Sequence, residues 1–410
     1  NESLLQKINL SSMKWKLVWK NLLHEPLSTT LILLLLTVGV SIITLLVGIK
    51  YQVEKKLDGD LKNIDLVIGA KGSPLQLILS SIYHLDAPTG NISLEDAKEI
   101  ASNPMVETAI PLAYGDNYNG FRILGTDSNW YQLYETKIYD GKMPSENMEV
   151  VLGWQVAQKT GLKIGDSFEG THGNAEQGEV HEGHPYKVVG ILTPSYNVAD
   201  QLIVTNVSSV IEIHEEHEHD HAEEHVHAHE EITAMLLQFR SPMAMMTMPR
   251  KINEETNFQA AIPNIEIRRL LKLLDGIFIV IQAIGIIVML LAGISVFLSL
   301  FQKLQRRKYE IALLQSIGYS KWYVRSLLIY EAFLLAIFGY VIGFILSRII
   351  LFLLESSIAQ QYGLNVFSLG WMEGEYLIFL ITLLTGIISA IIPAWYSVRT
   401  SISKTLADGK

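Results

Sequence analysis

The chain contains no cysteine among its 410 residues. Disulfide bonds, thiolate metal sites and cysteine nucleophiles are therefore excluded. It also lacks the G-x-x-x-x-G-K-[S/T] pattern with which P-loop proteins cradle nucleoside triphosphates. We expect that the chain is not an enzyme and has no intrinsic cofactor. Any ATP-driven role would then depend on a separate subunit that binds the ATP.

Charge is almost missing from four long apolar runs, at residues 27–49, 277–301, 327–354 and 376–395. Each run can cross a bilayer core, which needs about 20 apolar residues in a helix. The runs contain no histidine and no aspartate, and their only charged residues are Glu331 and Arg348. These two are too far apart on one helix to pair with each other. We expect the Arg348 side chain to reach the membrane surface, and we expect no metal route through the spans.

The uneven spacing of the runs predicts the fold class, because a long polar segment separates the first run from the other three. We predict a membrane protein with four transmembrane α-helices in a 1+3 layout and a large α/β extracytoplasmic domain inserted between the first and second spans. The predicted segments are a cytoplasmic amphipathic helix 1–26, span 27–50, outer domain 51–272 with a His-rich insertion 212–231, span 273–302, cytoplasmic coupling segment 303–326, span 327–354, outer loop 355–375, span 376–396 and cytoplasmic tail 397–410.

Lysine and arginine residues predict the orientation of the spans. They cluster before the first span, between the second and third spans, and in the C-terminal tail, whereas residues 355–375 contain none. Because positive residues favour the cytoplasmic side, both termini are expected in the cytoplasm, with the four spans in membrane lipid. This topology accounts for the basic residues, so no nucleic-acid partner is expected.

The outer segment shows mixed helix and strand signals. Ser93 precedes Asp96 by three residues, which predicts a capped helix at its start, and residues 154–160 predict a short helix that ends at Gly161. Other predictions are a stalk helix at 51–68, a buried or membrane-resting helix at 75–82, a methionine-rich packing segment at 243–248, and strands at 106–111, 121–125, 149–152, 186–192, 201–205 and 232–240.

Residues 212–231 read EIHEEHEHDHAEEHVHAHEE, a run rich in histidine and acid with no lysine or arginine. Such a composition cannot form a packed core, and we interpret it as an insertion between two strands. Neutral imidazole binds zinc well, and the carboxylates add electrostatic attraction. The candidate zinc ligands are His214, His217, His219, His221, His225, His227 and His229. A solvated tract that binds metal without a defined site is the alternative.

Several motifs together resemble the FtsX-like permeases of the MacB type, which are membrane subunits of bacterial ABC transporters. The strongest is RKYEIALLQSIG at residues 307–318, directly after the second run. The other similar positions are residues 19–23 with Pro26, residues 149–153, Ala157, residues 161–166, Glu331, Gly339, Gly343, residues 393–394 and Leu406.

This resemblance implies a location in the bacterial inner membrane, a mechanism and partners. The coupling segment would seat on a separate ABC ATPase, two permease copies would pair as a homo- or heterodimer, and ATP-driven movement would pass through the spans to the outer domain. Peptides, lipoproteins and lipids are the family's substrates, and a periplasmic or lipoprotein partner is expected. The residues assigned to ATPase coupling are Arg306, Arg307, Lys308, Glu310, Ile311, Leu314 and Gly318.

Two other functions remain open at the level of sequence. The chain could be an outer-face zinc sensor that regulates a partner in the cell envelope, since the histidine run is not part of the general family pattern. It could also be a membrane anchor that activates a cell-wall enzyme through its outer domain. Binding of an ATPase at residues 303–325 distinguishes the permease from both.

Overall fold

A computed structural model describes residues 18–20, 22–171, 184–195, 197–219, 230–306, 309, 313, 316–318, 320–362, 370–372 and 374–396. The chain separates into two compact units, a membrane unit and an outer unit that consists mainly of Glu54–Leu273. Among the described residues, four helices are long and apolar enough to cross a membrane. The prediction of four spans with an α/β domain between the first two is confirmed.

The described part of the chain contains ten α-helices with defined bounds, besides the 3-10 helix Val198–Gln201. They are α1 (Pro26–Asp60), α2 (Pro74–Ser81), α3 (Leu94–Ala101), α4 (Ser128–Leu133), α5 (Trp154–Thr160), α6 (Val207–His219), α7 (Pro242–Glu255), α8 (Pro263–Arg306), α9 (Lys321–Tyr362) and α10 (Glu375–Tyr396). The candidate spans lie in α1, α8, α9 and α10.

The strands form one large mixed sheet and one small sheet. They are β1 (Leu66–Ala70), β2 (Ile92–Ser93), β3 (Val106–Tyr118), β4 (Phe121–Thr126), β5 (Ile138–Gly141), β6 (Glu149–Leu152), β7 (Ser167–Phe168), β8 (Tyr186–Leu192), β9 (Ile203–Asn206), β10 (Glu231–Ile232), β11 (Ala234–Phe239) and β12 (Phe258–Ala261). The large sheet has the order β12-β1-β11-β3-β4-β9-β6-β8-β5, with β7 beside β8, and β10 pairs with β2. Only β4 with β9 and β6 with β8 run parallel among these pairs.

Both faces of the large sheet pack against apolar clusters. Successive side chains of a strand point to opposite faces, so one strand contributes to both clusters. In β1, Val67 packs into one apolar cluster, whereas Leu66 and Ile68 pack into another. In β11, Leu236 belongs to the first cluster and Leu237 to the second. The outer unit therefore has an apolar layer on each face of the sheet. This explains why these strands contain few polar residues.

Small residues let the membrane helices approach closely. A Cβ atom on Gly343 of α9 would lie 2.8 Å from the Thr37 carbonyl oxygen of α1, and one on Gly386 of α10 would lie 2.8 Å from Ala336 Cβ of α9. In lipid, helices associate largely through such van der Waals contacts. The lipid tails are as apolar as the helix surfaces, so no hydrophobic effect drives the helices together. These glycines explain why α9 packs against both α1 and α10.

Several local predictions are confirmed. The Ser93 hydroxyl accepts a hydrogen bond from the Asp96 backbone N–H and caps α3. Helix α5 ends at Gly161, whose φ of 72° places it in the left-handed region that glycine favours. Helix α2 is a buried helix, with Leu77 and Ile78 in the core.

The predicted stalk is wrong beyond Asp60. Helix α1 ends there, and Asn63 has a positive φ of 66° that breaks the helical path. The following residues, Leu66–Ala70, form strand β1 inside the sheet. The heptad-like apolar positions were compatible with both structures, and the sheet provides burial on two faces. The prediction of a packing role for the methionine segment holds in part. The segment begins helix α7, where Met248 is buried in the core and Met245 packs against it, whereas Met243 and Met246 are exposed.

Candidate functional site

The predicted coupling segment carries an exposed apolar face. Helix α8 continues through Arg306, and the described residues Tyr309, Leu313 and Ile317 are all exposed, at 52%, 45% and 68%. They follow each other at intervals of four, and the Ile317 backbone N–H donates to the Leu313 carbonyl as in a helix. Residues so spaced share one face of a helix. This arrangement is typical of a surface that docks on another protein.

Of the seven predicted coupling residues, Arg306 and Gly318 lie among the described residues. Gly318 has a φ of 101° and ends the turn after Ile317. Arg306 donates from Nη1 to Glu25 Oε1 at 3.1 Å, although its own side chain is 70% exposed. Exposed ion pairs of this kind contribute at most about 1 kcal/mol, so Arg306 can exchange partners. Arg307, Lys308, Glu310, Ile311 and Leu314 lie outside the described residues.

Glu331 is buried and paired with a residue of the neighbouring span. Lys303 Nζ of α8 lies 2.5 Å from Glu331 Oε1 of α9, and both residues are at most 5% exposed. The sequence placed Lys303 at the start of a cytoplasmic segment, whereas the structure places it inside α8. A lone charge in this environment would be costly, and the pair satisfies both groups.

The prediction that Arg348 extends to the membrane surface is wrong. Its Nη2 donates to both carboxylate oxygens of Glu375, at 2.7 and 2.8 Å, and to the Gly370 carbonyl at 3.0 Å. Its guanidinium also lies over the Phe344 ring, 4.6 Å from the centroid. Glu375, which the sequence assigned to a loop, is the fully buried first residue of α10 and also accepts from the Met372 backbone N–H at 2.9 Å. The partner is on another helix, so spacing within α9 did not reveal it.

Polar contacts also join α1 to α8. Lys50 Nζ lies 2.8 Å from Asp275 Oδ1, and the hydroxyls of Ser28 and Ser299 lie 2.9 Å apart. The Lys50 and Asp275 side chains are each 44% exposed, in contrast to the buried pairs of α9. The membrane unit thus contains both weak, solvated links and buried, strong ones.

The histidine run begins inside a helix that packs on the outer core. Helix α6 extends to His219, and its Val210 and Ile213 side chains are buried. His214, His217 and His219 therefore belong to the end of α6, whereas His221, His225, His227 and His229 lie outside the described residues. Within the described part of the chain, no group of three or more histidine or acidic residues could hold a metal ion. The zinc site stays a prediction.

Glu149, in the motif at residues 149–153, fixes a loop of the outer unit. Its carboxylate accepts from Lys142 Nζ at 2.7 Å, from the Ser145 backbone N–H at 2.8 Å and from the Glu146 N–H at 3.2 Å. The hydrogen bond from Lys142, followed by that from Ser145, lowers the pKa of Glu149 to about 2. The carboxylate is therefore ionised at neutral pH, and this part of the motif has a structural role.

Two protein families match the chain by sequence. The MacB-like periplasmic core domain matches residues 29–248, and the FtsX-like permease C-terminal domain matches residues 283–406. The chain is similar in structure to the periplasmic region of MacB from Actinobacillus actinomycetemcomitans, with 10% identity, a TM-score of 0.34, and coverage of 52% of this chain and 95% of that one.

A second similar structure is the extracellular domain of the noncanonic ABC-type transporter YknZ from Gram-positive bacteria, with 13% identity, a TM-score of 0.30, and coverage of 48% of this chain and 98% of that one. No curated protein matches the chain. The first family match covers more than half of the 410 residues, and the second covers three of the four spans. The chain therefore belongs to the family of MacB/FtsX-type ABC transporter permeases.

Proposed function

We propose that this permease passes ATP-driven movement from a separate ABC ATPase to its outer α/β domain, which handles a substrate on the outer side of the inner membrane. Permeases of this family work with an ABC ATPase partner. The observation that carries the proposal is the exposed apolar face of Tyr309, Leu313 and Ile317, on the short segment between α8 and α9. Apolar side chains in a water-exposed segment are stabilised when a partner covers them.

The proposed partners and location are those that membership of the family suggests. Two permease copies pair in the lipid, each with an ATPase on the cytoplasmic side, where both termini also lie. ATP binds the ATPase subunits. The substrate is a peptide, a lipoprotein or a lipid, delivered or received by a periplasmic or lipoprotein partner. Arg307, Lys308 and Glu310 would make charged contacts around the apolar face.

We expect Leu313→Glu to reduce co-purification of the ATPase with the full-length chain by roughly thirty-fold, which corresponds to about 2 kcal/mol for a residue at the centre of an interface. A carboxylate in an apolar contact loses its hydration without gaining a partner. Arg307→Glu and Glu310→Lys are expected to weaken the same complex. The measurement is the amount of ATPase retained per permease after affinity purification in mild detergent.

The matched control is Lys321→Glu, which also makes the segment more acidic but alters the exposed first residue of α9, outside the apolar face. It should retain the ATPase at the wild-type level. Wild-type retention in Leu313→Glu, Arg307→Glu and Glu310→Lys alike would contradict the proposed interface. Equal losses in Lys321→Glu and Leu313→Glu would show that charge alone governs the binding.

The composition of the histidine run supports a second proposed role, which is zinc binding on the outer face. Replacement of His214, His217, His219, His221, His225, His227 and His229 by asparagine keeps the length of the run and removes its imidazole ligands. We expect calorimetry of the full-length protein to show loss of most zinc binding in this variant. Unchanged binding would contradict the role of the run, and His24→Asn is the control.

If zinc bound to the run also changes the retained ATPase activity, a regulatory zinc sensor is favoured over a metal-linked substrate. Zinc that binds without altering the activity would leave the run as a store or a delivery site. This readout separates the sensor from the permease role, since the permease requires the ATPase whether or not zinc is present.

A further inference from the structure

Helix α9 is fastened to a different neighbour near each end of its span. Near one end, Glu331 pairs with Lys303 of α8 at 2.5 Å; near the other, Arg348 pairs with Glu375 of α10 at 2.7 Å. Glu331 and Arg348 are 17 residues apart on α9. At 1.5 Å per residue this places them about 25 Å apart along the helix axis, close to the thickness of the hydrocarbon core.

Both pairs are buried and short, and their geometry is directional. The side chains of Lys303 and Glu331 are 6% and 3% exposed, and those of Arg348 and Glu375 are 8% and 0% exposed. Charge-assisted hydrogen bonds of this kind are among the strongest in proteins, and breaking one strands a charge away from water. At Glu331 helix α9 therefore cannot slide freely past α8, and at Arg348 it cannot slide freely past α10.

The middle of α9 makes contacts of another kind. Gly339 lies against the Leu36 side chain and Gly343 against Val40 of α1, where an added Cβ would lie 2.6 and 2.8 Å from those side chains. Contacts through small residues let helices approach closely by van der Waals packing, and the contacts at these two glycines are not hydrogen bonds. Helix α9 is thus held by buried ion pairs at Glu331 and Arg348, and between them it packs on α1 through glycines.

We propose that the Lys303–Glu331 and Arg348–Glu375 pairs are the fixed points through which α9 transmits movement across the membrane. This inference rests on the proposed function. The α8–α9 pair lies on the side of the coupling segment, where movement would enter. The α9–α10 pair lies on the side where the chain leaves α1 for the outer domain, where movement would be delivered. Glu331 and Arg348 act as positioning residues and do not contact a substrate.

The experiment removes each ion pair by substitutions that keep the protein folded. Arg348→Met combined with Glu375→Leu replaces the α9–α10 pair by apolar side chains of similar size, a change that commonly preserves or raises stability. Lys303→Met combined with Glu331→Leu does the same for the α8–α9 pair. The chain has no cysteine, so a fluorophore on Leu85→Cys, an exposed position of the outer unit, labels this subunit at a single site and reports movement there.

Each variant is purified in full length with its co-purifying ATPase, and the change in label fluorescence between ADP and ATP is measured beside the rate of ATP hydrolysis. We expect both apolar variants to retain the ATPase and hydrolyse ATP, with a label response reduced at least about fivefold. The double reversals Arg348→Glu with Glu375→Arg, and Lys303→Glu with Glu331→Lys, should restore part of that response. Lys50→Gln, which removes an exposed pair, is the control and should respond as the wild type.

A full label response in both apolar variants would overturn the proposal, because simple packing would then be sufficient to carry the movement. Parallel losses of ATPase retention and label response would overturn it as well, since the pairs would then serve assembly alone. A wild-type chain with neither ATPase nor label response would refute the proposed function itself. That failure is recognised in the wild type, before any variant is compared.

Discussion

Gly153→Ala is expected to destabilise the outer unit by about 3 kcal/mol, at the upper end of the usual cost of overpacking. Gly153 follows β6 and precedes α5, and a Cβ atom there would collide with the Ala199 carbonyl oxygen and lie 2.6 Å from the Asp200 carbonyl carbon. These are backbone atoms, which cannot rotate away as a flexible side chain can. The φ of Gly153 is −61°, so the cost arises from the contact and not from backbone strain.

The close contact has a structural purpose. The Gly153 backbone N–H donates to the Leu202 carbonyl at 2.9 Å, which ties the end of β6 to the residue before β9. Both strands lie in the half of the sheet that also contains the parallel β6–β8 pair. A shift of the backbone at Gly153 would therefore disturb hydrogen bonds on both sides of β6. The expected result is a lower unfolding temperature of the outer unit in the purified full-length protein, followed by near-UV circular dichroism.

The matched control is Gly59→Ala near the end of α1. A Cβ atom there meets nothing within 4 Å, and alanine favours a helix by about 0.5–1 kcal/mol over glycine. Gly59→Ala should therefore leave the unfolding temperature unchanged or raise it slightly. A Gly153→Ala protein that unfolds at the wild-type temperature would show that the β6–β9 connection can relax, against the close packing of its carbonyl groups.

The sequence was sufficient to predict features that depend on neighbours along the chain. The four spans follow from run length, the cap of α3 from Ser93 and Asp96, and the end of α5 from Gly161. Each of these rests on hydrogen bonds or burial within a few residues. Such local rules do not depend on which other part of the chain packs nearby.

Partners distant in sequence could not be predicted in this way. Glu331 and Arg348 were treated as isolated charges because no partner is within reach on α9, yet Lys303 and Glu375 are supplied by α8 and α10. Strand β1 was mistaken for helix because its pairing with β11 and β12 becomes visible only in the sheet. The exposed position of Tyr309 was also missed, although its spacing of four residues from Leu313 was a usable signal.

His84 is expected to make the protein less stable as the pH falls below about 6.5. The histidine is half-buried, and its Nε2 atom is shielded from solvent. Its Nδ1 is hydrogen-bonded to the Tyr114 hydroxyl, which itself donates to the Ser80 carbonyl. The hydroxyl has a single proton, so Nδ1–H must be the donor, and Nε2 accepts the next proton. Nε2 has no hydrogen-bond partner among the described residues. Protonation would therefore place a charge in the interior without an acceptor.

The direction of the pH effect follows from the two states. Burial, and secondarily the positive charge of Arg122, lowers the pKa of His84 to about 3 in the folded protein. In the unfolded chain histidine titrates near its ordinary value of about 6.5. Between these values the unfolded chain binds a proton that the folded protein does not, so the stabilisation is fully present above about 6.5 and decreases by about 1.4 kcal/mol for each pH unit below it.

The measurement is the free energy of unfolding of the full-length protein between pH 7 and pH 5, compared with that of His84→Asn. Asparagine does not titrate, and it tolerates the positive φ of 55° at this position better than most residues. We expect about 2 kcal/mol of the wild-type loss over this range to be absent from His84→Asn, which corresponds to one proton over roughly 1.5 pH units. His24→Asn, which removes an exposed histidine, should keep the wild-type pH dependence. Parallel curves for the wild type and His84→Asn would show that the histidine takes up its proton in the folded protein as readily as in the unfolded chain, against the desolvation of Nε2.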